Sequence, residues 1–67
     1  MKINDNIFEL RTALGISQSK LAKEIGVSQK AIDYWERNIN EPKASYIIKL
    51  AQFFNVSTDY LLGVSDI

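Results

Sequence analysis

Apolar residues return every three or four positions along most of this chain, and polar or glycine-containing breaks divide that rhythm into five helical stretches. In the first stretch Ile3, Ile7, Leu10 and Leu14 lie along one stripe with Phe8 beside them. The spacing predicts a helix that begins near Asn4 or Asp5, either of which can cap it, and that closes at Gly15. Leu21, Ala22 and Ile25 mark a second helix over about 18–25, with Ser19, Lys20, Lys23 and Glu24 outward. Past Gly26 the spacing resumes at Ile32 and Trp35, with Ala31 beside them, over about 29–37. The segment NINEPK, residues 38–43, holds the only proline and reads as a loop. A fourth helix over about 44–54 follows, its apolar residues covering roughly 220° of arc, wider than one core contact requires. Asn55 can take a left-handed turn before a last short helix that ends at Gly63.

The helix starts carry their own signals. Ser17, Ser28 and Ser57 can each cap a helix through the hydroxyl, and Ile16, Val27 and Val56, one place earlier, can pack on Leu21, Ile32 and Leu61. Gly26 supplies the left-handed conformation that other residues adopt at a steric cost. Residues 18–35 therefore read as a helix-turn-helix, with Ala22 small where the two helices cross. Asp59, in the first turn of the last helix, suits the helix dipole, whereas Lys43 is a poor cap for the fourth. Trp35 stands three places from Ile32, which puts it on the buried side and argues against a base-stacking role.

Ala22 five places into the unit, Gly26 at the turn and apolar Leu21, Ile25, Val27, Ile32 and Trp35 carry a family resemblance, supported by the flanking LRTALGISQ and IKLAQFFNVSTDYLLG. Over about residues 7–63 the chain resembles the phage repressor and Cro family of bacterial transcription regulators. The resemblance implies an all-α, compact five-helix, lambda-repressor-like domain with its helix-turn-helix at helices two and three. It further implies a sequence-specific transcriptional regulator, a repressor that reads the major groove with helix three as a homodimer on a pseudo-palindromic operator. In that family an arginine at the position of Arg11 pairs with a glutamate at the position of Glu36; the alternative is a solvated surface arginine. The residue matching Gln18 braces the backbone and helps orient the reading helix.

The major groove admits one α-helix, and base edges are reached from its N-terminal end and outward face. Ser28, Gln29, Lys30 and Tyr34 occupy those places, against the alternative that they form an ordinary solvated face. Gln can bond adenine at two points, Lys can donate to guanine, and an aromatic edge can meet a thymine methyl. Asp33 can accept from cytosine, but a carboxylate near phosphates is more often paired within the protein, so it stays outside the candidate set. Contacts to the DNA backbone are expected from Ser17 and Gln18 at a helix N-terminus, and from Arg37, Asn38, Asn40 and Lys43 around the loop.

Sixty-seven residues make a single domain, 1–67, in which folding buries only about 60% of the unfolded chain's surface. Only VSDI follows the last helix, so the expectation is no sensor or effector domain if the polypeptide is complete, and one following Ile67 if it is a fragment of a longer repressor. Cysteine and histidine are absent, which excludes disulfides and leaves only carboxylates for a metal, so no metal or cofactor is expected. No apolar run approaches a membrane span, and the chain reads as cytoplasmic and nucleoid-associated. Without a phosphate-binding GxxxxGK[ST] loop or any carboxylate motif, an enzyme finds no footing.

Charge complicates the DNA reading, because eight basic residues balance eight acidic ones. Between residues 11 and 49, however, seven cations stand against four anions, and the two ends supply the compensating negative charge. A basic face is thus permitted, with weak nonspecific binding. The zero net charge and the broad arc of helix four also suit a different class, a protein-interaction module such as an antitoxin or anti-repressor subunit. That same arc, with Phe53, Tyr60, Leu62, Val64 and Ile67, predicts a homodimer through helix four and the C-terminal segment.

Overall fold

The computed structural model describes residues 2–66 and arranges them as α1 (Lys2–Ala13), α2 (Gln18–Ile25), α3 (Gln29–Glu36), α4 (Ala44–Phe54) and α5 (Thr58–Leu62), with no strand among the described residues. The all-α, five-helix architecture expected from periodicity is therefore the one observed. Each helix sends its apolar stripe into one core: Ile3 and Ile7 from α1, Leu21, Ala22 and Ile25 from α2, Ile32 and Trp35 from α3, Leu50 and Ala51 from α4, and Leu61 from α5. α2 packs on α3, α1 lies against α3 and α5, and α4 touches α2 and α5.

Serine caps start three of the helices. Ser17 Oγ accepts from the Lys20 N–H at 3.0 Å, Ser28 Oγ from Ala31 at 3.1 Å, and Ser57 Oγ from Tyr60 at 2.9 Å. Each satisfies a first-turn donor that has no partner within its helix. α2 stops at Gly26, φ +85°, whose N–H returns to the Ala22 carbonyl. Lys43 makes no side-chain cap bond at α4, in keeping with its chemistry.

Two details of α1 differ from the sequence reading. The helix begins at Lys2, before Asn4 and Asp5, which lie inside it and hydrogen-bond to each other instead of capping. Ile3 is almost fully buried, and a helical first turn is what aligns it with Ile7 toward the core. At the other end Ala13 is the last helical residue, so Leu14 falls into the turn and is 57% exposed. Phe8 is likewise half exposed, its ring 5.5 Å from the Arg11 guanidinium carbon.

α3 ends without a glycine. Asn38 adopts φ +60° and the Ile39 N–H reaches back to the Tyr34 carbonyl at 2.9 Å, a left-handed stop hidden within what sequence marks only as a loop. On the far side, Asn6 Nδ2 donates to the carbonyls of Tyr60 and Leu61, tying the end of α5 to α1.

Candidate nucleic-acid interface

α3 is anchored by its inward face. Ile32 is fully buried, and Trp35 packs with its ring centroid 5.7 Å from that of Tyr46 on α4. That anchoring turns Ser28, Gln29, Lys30 and Arg37 out to solvent and leaves Asp33 and Tyr34 half-buried. Trp35 is a core residue, as its spacing from Ile32 requires.

Behind the outward face runs a connected polar network. Arg11 meets Glu36 twice, Nε to Oε2 at 2.6 Å and Nη2 to Oε1 at 3.0 Å, and its Nη1 donates to the Ile16 carbonyl at 2.8 Å. Only 12% of the arginine side chain and 4% of the glutamate's remain exposed. The hydrogen bond to Glu36 raises the Arg11 pKa above the ordinary guanidinium range, against the opposing pull of burial. Of the two readings of Arg11, the paired one is therefore observed. Glu36 Oε1 also accepts from Gln18 Nε2 at 3.0 Å, a link that sequence did not reveal. Gln18 Nε2 lies 3.3 Å from Asp33 Oδ1, and Gln18 Oε1 accepts from Gln29 Nε2 at 2.5 Å. The network thus passes from α1 through the end of α3 and the start of α2 to the first residue of α3.

The remaining candidates fall into two groups. Tyr34 stands between two cations, Lys30 Nζ at 5.8 Å and the Arg37 guanidinium at 5.7 Å from its ring centroid. Arg37 is also paired with Asp33, Nη2 to Oδ2 at 3.0 Å, so Asp33 is occupied within the protein on both of its oxygens. Ser17 caps α2, while Asn38, Asn40 and Lys43 follow one another, exposed, through the segment after α3. Among the described residues, no ion pair involves Lys23, Lys30, Lys43 or Lys49, which leaves their charge available to an outside anion. The signal that could have pointed to Gln18–Glu36 is the Arg11–Glu36 pair itself, because a carboxylate has acceptor sites beyond one arginine.

Residues 7–61 match the helix-turn-helix family. The HTH-type transcriptional regulator ImmR of Bacillus subtilis (strain 168) is 30% identical over the whole of this chain and 53% of its own length. The repressor protein C2 of Salmonella phage P22 is 38% identical over 90% of this chain and 28% of its own. The chain accordingly spans about half, or less, of the length of these curated relatives. A crystal structure of the P22 c2 repressor in complex with a synthetic operator superposes with a TM-score of 0.88 at 36% identity, covering 94% of this chain and 96% of that one. The chain belongs to the helix-turn-helix family that includes these transcriptional regulators and phage repressors.

Proposed function

We propose that this chain is a sequence-specific DNA-binding transcriptional regulator, a repressor that places α3 in the major groove and binds a pseudo-palindromic operator as a homodimer. The observation that carries this reading is Gln29: it opens an α3 anchored in the core and is held from behind by Gln18, in a fold close to that of an operator-bound repressor. Ser28, Gln29, Lys30 and Tyr34 then face base edges, and Ser17, Gln18, Arg37, Asn38, Asn40 and Lys43 lie along the phosphates. The partner is double-stranded DNA, with no cofactor or metal assigned. No helix among the described residues is long and apolar enough to cross a membrane, and residence at the nucleoid follows from the DNA partner.

For the second copy we assign α4 and the segment after it. Ile48 is half exposed on α4 and Val64 is 71% exposed, with Tyr60 and Leu62 half-buried nearby. Phe53 spends part of its surface on Phe54, ring centroids 5.2 Å apart, and Ile67 lies outside the described residues. The same apolar surface with a balanced charge supports the second reading, a module that docks a protein.

Selection of binding sites from a random duplex pool separates the two. Recovery of a shared motif, bound with an affinity that falls as salt rises, supports the regulator. Absence of enrichment, or retention that ignores sequence, overturns it in favour of the docking module.

A further inference from the structure

A glutamine amide offers two N–H donors and one carbonyl acceptor, and its two ends are otherwise nearly alike in shape. At Gln18 the surroundings are not symmetric. Its Nε2 faces two carboxylates, Glu36 Oε1 at 3.0 Å and Asp33 Oδ1 at 3.3 Å, while its Oε1 faces Gln29. Turning the amide over would bring its carbonyl oxygen against two anionic oxygens, with no donor between them. The orientation is therefore set by charge.

That choice is passed on to Gln29. Because Gln18 presents an acceptor, Gln29 must give it one N–H, and it keeps its own Oε1 and one N–H for an outside partner. A donor beside an acceptor matches the N7 and N6–H₂ edge of adenine. Were Gln18 reversed, its N–H would take the Gln29 oxygen, leaving two donors outward, which match N7 and O6 of guanine.

We propose that Glu36 and Asp33 are positioning residues for base choice: acting through Gln18, their carboxylates hold Gln29 in the polarity that accepts adenine over guanine. This rests on the regulator reading above. It gives the α1–α3 ion pair a second task, since one glutamate oxygen serves both Arg11 and Gln18.

The test compares adenine with guanine at the base pair whose preference Gln29→Ala removes. In Asp33→Asn/Glu36→Gln both anions are gone, and the adenine preference should fall about tenfold, the scale of one bidentate pair. Adding Gln18→Glu restores an acceptor that cannot reverse, and the preference should return. A purely structural role predicts no such rescue. An unchanged preference in the double variant, or no return in the triple one, overturns the proposal. If these variants do not fold, exchange of the Gln18 side-chain amide protons in the unmodified chain decides. Exchange slower than at the exposed Gln52 supports carboxylate-held donors, and equal exchange overturns them. An unmodified chain without sequence preference sinks the regulator reading and this inference with it, whereas preference without rescue sinks this inference alone.

Discussion

Gln29 and Lys43 are both exposed, but their settings assign them different work. Gln29 is the first residue of a helix and is hydrogen-bonded from behind, whereas Lys43 precedes α4 in extended backbone and enters no ion pair among the described residues. Gln29→Ala should cost roughly 1–3 kcal/mol on the operator and relax one base pair, with nonspecific affinity nearly unchanged. Lys43→Ala should weaken all sequences alike and reduce the slope of log K against log salt by about one. Titrations of both variants on operator and random DNA at several salt concentrations check this; equal weakening by Gln29→Ala would show that α3 does not read through that residue. Arg11 and Glu36 make the second residue-scale case. Removing either leaves a charge in a site almost closed to water, so Arg11→Ala or Glu36→Ala should lose about 3–5 kcal/mol, far beyond an exposed pair. A double-mutant cycle on urea unfolding should give strong coupling. With the arginine pKa raised, its share of this stability is fully present at neutral pH and is lost as pH rises from the ordinary guanidinium value through the higher folded-state one. The pairing of Arg11 with Glu36, 25 positions on, was legible in sequence through the family resemblance. The sharing of Glu36 with Gln18 was not, because it depends on where three helices meet.

Among the elements, the helices announced by a serine cap begin where sequence puts them, at Gln18, Gln29 and Thr58. These starts depend on a side chain bonding its own backbone three residues on, a local event. The start of α1 was misread because its first turn is fixed by burial of Ile3 against distant helices, and two good capping residues stood nearby as decoys. The end of α3 was legible to within one residue from the polar segment that follows, but its left-handed stop was not: an asparagine takes that conformation only sometimes, and Asn38 is one of four polar residues in its segment. Glycine stops invite a direct comparison. A Cβ at Gly26 would meet nothing within 4 Å, so Gly26→Ala should cost only the left-handed backbone penalty of about 1–2 kcal/mol. At Gly63 the added carbon would sit 2.5 Å from Lys2 Cβ, where α5 ends against α1, and Gly63→Ala should cost more. Denaturant midpoints of the two variants check the order, and a Gly26 variant that is the less stable of the two contradicts it.

At the scale of the molecule, the chain measures 27 × 23 × 19 Å along its principal axes. Successive half-sites on one face of DNA are about 34 Å apart, so a single copy reaches one of them and a palindrome calls for two. We therefore expect sedimentation of the free chain to give a weak monomer–dimer equilibrium that becomes a firm two-to-one complex on an operator of that spacing. A monomer at high concentration together with one-to-one binding to a palindrome contradicts this; a monomer in solution alone does not. The fold was legible at this scale because each amphipathic stripe is a one-sided surface, and one core is the simplest way to close five of them. A dimer surface has no such periodic signature, which is why the contact assigned to α4 and the segment after it rests on excess apolar surface rather than on a pattern.

The packing of Trp35 also makes the chain its own optical reporter. It is the only tryptophan, 6% exposed and packed with its ring tilted against that of Tyr46, on the helix assigned to DNA but turned away from the assigned face. Excited selectively, it should emit at the short wavelengths of an apolar site and move to the red as α3 and α4 part, so unfolding of every variant above can be followed without a label. Operator binding should leave that emission in place if α3 docks as a rigid body. A shift in wavelength on adding DNA would instead mean that the reading helix moves against the core when it binds.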